Sequence, residues 1–190
     1  MVIKALKKSN DNLGSTIRWG AAFSQYLSKM ILNLESIREN ITAKSTKGDY
    51  REARSDFRQV RRCERRINQY YTRLKGNLIE LLNILPSNLQ VELKDIQEKL
   101  RPHEAKLIRE TSFFTGEQVE NFEGIGIQLQ LVQREKGNPT PVQALLSKNI
   151  NEFRKLEAAP GSGHSFGLIP FLAELQSLKR FIAKLEGMSK

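Results

Sequence analysis

From Tyr50 to Leu85 one row of residues steps by three and four without a break: Tyr50, Ala53, Phe57, Val60, Glu64, Ile67, Tyr71, Leu74, Leu78, Leu81 and Leu85, with Glu64 the single interruption of the apolar series. A strand would repeat every two residues, so this spacing demands a helix with one apolar stripe. At about 1.5 Å per residue the helix is about 50 Å long, and five heptads give it a seam of the coiled-coil kind. Such a seam has to be covered, which commits the chain to packing helix on helix.

A partner precedes it. From Thr16 to about Thr42, Phe23, Leu27, Met30, Leu34, Ile37 and Ile41 recur at the same alternating spacing. The intervening AKSTKGD, residues 43 to 49, has the short polar side chains of a turn, with Asp49 as N-cap. Beyond Gly76 the second helix is apolar nearly all round, through Leu78, Ile79, Leu81, Leu82, Ile84 and Leu85, so the core is expected at that end. Pro86 stops the helix. Ser87 or Asn88 then caps a third, Leu89 to about Thr111, carrying Leu89, Leu93, Ile96, Leu100 and Leu107, with His103 in the remaining seam position.

The pattern then weakens. FFTGEQVENFEG is punctuated by Gly116 and Gly124, and IGIQLQLVQ alternates Ile125, Ile127, Leu129 and Leu131 with polar residues, as a strand would. With no second strand to pair, this segment is expected to be irregular or helical; a short hairpin strand, or one donated to another chain, is the alternative. Thr140 and Pro141 open a fourth helix to about Leu156. AAPGSGHSFGLIP reads as a linker, and a last helix, Phe171 to Glu186, carries Leu172, Leu175, Leu178, Ile182 and Leu185.

The expected architecture is all-α: a long antiparallel, coiled-coil-like helical hairpin, a third packed helix and two further C-terminal helices. In domain terms, residues 1–15 form a flexible basic segment and 16–112 the three-helix hairpin or bundle. Residues 113–139 are a loop-rich or irregular connector, and 140–190 a helical pair with a Gly/Pro linker at 158–170. The seam exceeds what one hairpin needs, so self-association or a helical protein partner is expected.

At 190 residues the chain can bury one good core. Its only cysteine, Cys63, excludes an intrachain disulfide and points to a reducing, cytoplasmic setting. No apolar run is long enough for a signal-peptide core or a membrane span.

One pattern argues for catalysis. Gly163-His164-Ser165-Phe166-Gly167 spells the G-x-S-x-G of a nucleophile elbow. An elbow needs a strand to deliver the serine, and a histidine later in the chain to complete the triad. EAAPGSG precedes Ser165 and no histidine follows it, so the stretch reads as glycine-rich linker. Metal binding has as little support: His103 and His164 lie sixty-one residues apart, and His103-Glu104 lacks the second histidine of H-E-x-x-H. No GK[ST] phosphate loop occurs. The chain is therefore expected to be no enzyme, with no cofactor, metal or small-molecule substrate. Glu64 reads as a register-setting seam residue near a cation such as Lys29.

Charge is where function shows. Lys and Arg number 31 against 21 Asp and Glu, net +10. Between Lys44 and Lys75 alone stand eleven basic and four acidic residues. With Tyr50, Phe57 and Tyr71 at position a, the outer face carries Arg51, Arg54, Arg58, Arg61, Arg62, Arg65, Arg66, Arg73 and Lys75. Arginine's planar fork grips phosphate oxygens in pairs, so a row of them suits a nucleic-acid backbone, RNA or DNA. Some would instead pair with Glu52, Asp56 or Glu64 on a solvated or partner-facing surface. Another alternative is an anionic membrane, with Val2, Ile3 and Leu6 among Lys4, Lys7 and Lys8 as an interfacial anchor and Arg18-Trp19 at headgroup depth. The expected function is a non-catalytic helical scaffold or assembly subunit binding nucleic acid through the second helix.

Overall fold

The structure, a computed structural model, describes residues 2–42, 45–109, 112–135, 138–157 and 168–189. It is all-α. Among the described residues six helices follow in order: α1 (Val2–Glu39), α2 (Ser45–Ile84), α3 (Ser87–Glu104), α4 (Gly116–Glu135), α5 (Thr140–Glu157) and α6 (Leu168–Met188), with a π-helical turn at Ala105–Arg109. The first two form the expected antiparallel hairpin. Cross-helix hydrogen bonds mark the pairing: Asn12 donates to Asn77 Oδ1 at 2.7 Å, Asn33 to Asp56 at 3.4 Å and Ser36 to Asp49 at 3.1 Å, numbers rising on one helix as they fall on the other.

The chain divides into two compact units, each discontinuous in sequence. The first comprises Met1–Ala22, Cys63–Phe113 and Ala158–Lys190; the second comprises Phe23–Arg62 and Phe114–Glu157. The expected division was sequential; long helices instead serve both units, because a seam spanning a whole helix can be covered by different helices along its length.

In the second unit α4 packs on α5, and Phe57 of α2 is the hub. Its ring stacks on Phe122 of α4 with centroids 4.3 Å apart, and meets Phe114 at 5.5 Å and Phe153 of α5 at 6.0 Å. Such pairs contribute about 0.5–1.5 kcal/mol each beyond area burial. In the first unit α3 packs on α6, burying Leu89, Leu93, Ile96 and Leu100 together with Phe171, Leu175, Leu178, Ile182 and Leu185. Tyr71 of α2 meets Phe171 edge-on at 5.6 Å. The seam residues from Ala53 to Leu85 are all buried.

Three segments differ from expectation. Residues 2–15 are not a flexible segment but the first turns of α1, with Leu6 and Leu13 buried. The stripe continues through Ser9, Thr16 and Gly20, and at Gly20 an added Cβ would stand 2.6 Å from Leu172 Cδ2, so α6 approaches the α1 backbone there. The 113–139 connector is largely helix α4, and Ile125 to Val132 forms no strand. Helix α2 starts at Ser45, earlier than Tyr50, leaving Asp49 inside it. Pro102 sits near the end of α3, followed by the π turn that buries Leu107. The 158–167 part of the expected linker lies outside the described residues, as does Ser165 with the elbow pattern around it. Among the described residues no helix is long and apolar enough to cross a membrane.

Candidate functional site

The arginine-rich face belongs to α2, whose seam positions from Ala53 to Leu81 turn inward. In the second unit Arg51, Arg58 and Arg62 are exposed. Arg61 is half-buried with its guanidinium 5.9 Å from the centroid of the Phe57 ring. Arg54 reaches Glu123 of α4 at 3.6 Å, both side chains about half exposed (49% and 48%). This pair is not the intrahelical one the sequence suggested.

In the first unit Arg65 and Arg73 are exposed, Arg73 lying 5.5 Å over the Tyr70 ring. Arg66 lies 5.7 Å over Trp19 of α1 and donates to Gln69 Oε1 at 3.3 Å. A cation over an aromatic face is held by the ring quadrupole for about 0.5–1 kcal/mol at exposed sites, so these guanidiniums are presented in fixed places. Lys75 differs: it pairs at 2.8 Å with Oε2 of Glu104, whose Oε1 accepts the Tyr71 hydroxyl at 3.1 Å. Burial and the Glu104 charge push the Tyr71 phenol far above its ordinary range. Lys75 is thus engaged in holding α3 to α2 rather than standing free for a ligand.

Two acids of α2, Asp56 and Glu64, are drawn inward, whereas Glu52 and Glu80 are exposed. Glu64 is 2% exposed. Asp56 is buried; burial raises its pKa, while Lys29 and the Asn33 hydrogen bond pull it back down. Lys29 therefore neighbours Asp56.

A cleft that sequence reading missed lies in the second unit. Lys47, Tyr50, Arg51 and Arg54 of α2 and Gly126, Leu129 and Gln130 of α4 line a space of about 410 Å³. Tyr50 stacks on Phe122, with centroids 5.9 Å apart, and donates a long hydrogen bond of 3.4 Å to the Phe122 carbonyl. The only signal for this cleft in the sequence was the pair Gly124 and Gly126, two small residues in what proved to be a helix facing the basic one.

The N-terminal anchor reading loses part of its apolar surface, since Leu6 is 2% exposed and only Ile3 of the three stands well out. His103 is buried in the seam, near Phe171 at 5.9 Å; burial depresses its pKa, with Glu174 opposing. Among the described residues no group of three or more His, Cys, Asp or Glu side chains is gathered in a form that could hold a metal ion. Comparison with protein-family models, with curated proteins and with solved structures finds no match for the chain.

Proposed function

We propose that the chain is a non-catalytic helical scaffold or assembly subunit that holds a polyanion, nucleic acid, on the arginine face of α2. The observation that carries this reading is the exposure of Arg51, Arg58, Arg65 and Arg73 on one helix, two of whose acids, Asp56 and Glu64, are buried. A backbone carrying one charge per phosphate is drawn to such a row. The flat guanidiniums add bidentate hydrogen bonds that lysines would not. Lys75 and Arg54, engaged with Glu104 and Glu123, contribute less than their places in the row suggest.

The test is fluorescence-anisotropy titration of a labelled single strand and a labelled duplex across a salt series, with anionic liposomes as competitor. The expected result is saturable binding whose log–log salt slope corresponds to several phosphates, at about 0.7 to 0.9 per contact. Replacing Arg58, Arg61, Arg62, Arg65 and Arg66 together by Gln should abolish it with helicity intact. Unchanged binding in that variant, or none by the wild type at low salt, overturns the reading, and competition by liposomes alone would transfer the face to lipid.

A further inference from the structure

The cleft at the start of α2 has two unlike walls. On one side Lys47 and Arg51 are exposed cations spaced i, i+4, which puts them on one face of the helix a turn apart. Arg54 continues that side, its charge partly offset by Glu123. On the other side the ring of Tyr50, backed by Phe122, meets the bare backbone of Gly126 and the side chain of Leu129, which is 4% exposed. An added Cβ at Gly126 would lie 2.6 Å from Tyr50 Cε1, so the glycine is what lets the ring lie against α4. A volume of about 410 Å³ falls in the range of small-ligand clefts.

Two cations beside a flat, weakly polar wall call for a ligand with an anionic head and a planar body. A phosphate monoester fits the head, because Arg51 can engage two of its oxygens and Lys47 a third. A purine or pyrimidine ring fits the wall, where stacking on an aromatic side chain contributes about 1–3 kcal/mol per base. We propose that this cleft binds a nucleoside 5′-phosphate, its phosphate on Lys47 and Arg51 and its base against Tyr50 and Leu129. The nucleotide is a ligand here, not a substrate, and is either free or the phosphorylated 5′ end of a strand. The inference rests on the nucleic-acid reading only insofar as Arg51 and Arg54 serve both.

The full chain is titrated calorimetrically with a nucleoside 5′-monophosphate, the parent nucleoside and inorganic phosphate. In parallel it is titrated by anisotropy with one labelled single strand carrying either a 5′-phosphate or a 5′-hydroxyl. The monophosphate is expected to bind saturably and at least about tenfold more tightly than nucleoside or phosphate alone. Lys47→Gln and Arg51→Gln, both at exposed positions, each weaken it by about tenfold or more, while Lys94→Gln, at an exposed position of α3, leaves it unchanged. A matching preference for the 5′-phosphorylated strand assigns the strand end as source; equal binding of the two strands assigns the free nucleotide. No binding of the monophosphate at millimolar concentration, equal binding of inorganic phosphate, or indifference to both substitutions overturns the proposal. The 5′-hydroxyl strand reports the arginine face separately: its binding without monophosphate binding removes only the cleft, and the reverse removes only the broader function.

Discussion

Gly126 of α4 lies directly against the ring of Tyr50 of α2, so closely that a methyl group on it would stand 2.6 Å from Cε1 and 2.8 Å from the hydroxyl oxygen. The atoms in the way belong to the far end of one side chain, so the ring rather than the backbone has to yield. Gly126→Ala gains about 1 kcal/mol of helix propensity and loses a stacking contact worth about 0.5–1.5 kcal/mol. Stability should therefore change by no more than about 1 kcal/mol in urea unfolding. Burial holds the Tyr50 phenol above its ordinary pKa, with the Glu123 charge adding to the rise and Arg54 opposing it. Displacing the ring should bring that titration back toward the ordinary value, and ultraviolet difference titration of the variant reads it directly.

Phe57 is the residue on which the second unit most depends. It is 4% exposed and meets the rings of Phe114, just before α4, Phe122 of α4 and Phe153 of α5. Phe57→Ala is expected to cost about 3–5 kcal/mol, since neighbours drawn from several helices cannot all collapse into the space left. A chemical-denaturation loss under about 1 kcal/mol would contradict the hub role.

The salt dependence of binding distinguishes cations that are presented from cations that are engaged. Arg58→Gln should lower the log–log slope by about 0.7 to 0.9, one phosphate contact. Lys75→Gln should leave the slope nearly unchanged and instead lower stability by about 1 kcal/mol or less, as expected for a half-exposed ion pair. Equal slope changes in the two variants would show that Glu104 does not withhold Lys75.

Trp19 is the single tryptophan, and the Arg66 guanidinium lies 5.7 Å over its ring. A polyanion that draws Arg66 toward phosphate should alter Trp19 emission in proportion to saturation. Arg66→Gln should abolish that response while weakening binding only modestly. An unchanged emission spectrum through saturation would place the ligand away from this part of α2.

Stability should depend on pH through His103. Burial holds its folded-state pKa below the ordinary value of about 6.5, with Glu174 opposing. The neutral ring is thus favoured in the fold, and the unfolded chain takes up the proton first. The contribution is complete above pH about 6.5 and is lost as pH falls through the folded value. Carboxylates titrate mostly lower, so the melting temperature between about pH 7.5 and 5.5 isolates this group. His103→Gln should flatten that stretch of the profile, whereas His164→Gln serves as the control for the other histidine; a profile unchanged by His103→Gln would contradict the assignment.

Much of the fold could be read from spacing alone. Apolar residues three and four apart define a helix face whatever lies opposite, which is why the stripes of α1 and α2, the His103 position in α3 and the Thr140 start of α5 were visible in advance. Helix α4 was obscured for a physical reason. Ile125 and Leu129 form one buried i, i+4 pair and Ile127 and Leu131 form an exposed one, so two stripes offset by two residues imitate the alternation of a strand. The start of α1 was missed because its buried positions include Ser9, Thr16 and Gly20, small residues chosen by close helix contact rather than by hydrophobicity.

By itself the sequence determined that the stripes of α1 and α2 are helical, that the two pair, and that positive charge gathers beside the seam of α2, because each follows from local periodicity and composition. Only the tertiary structure decided which helices cover each part of the seam, which cations are held by Glu104 and Glu123, and that Gly126 opens a cleft beside Tyr50. Those outcomes depend on residues far apart in sequence meeting at one distance, and no local pattern carries that distance.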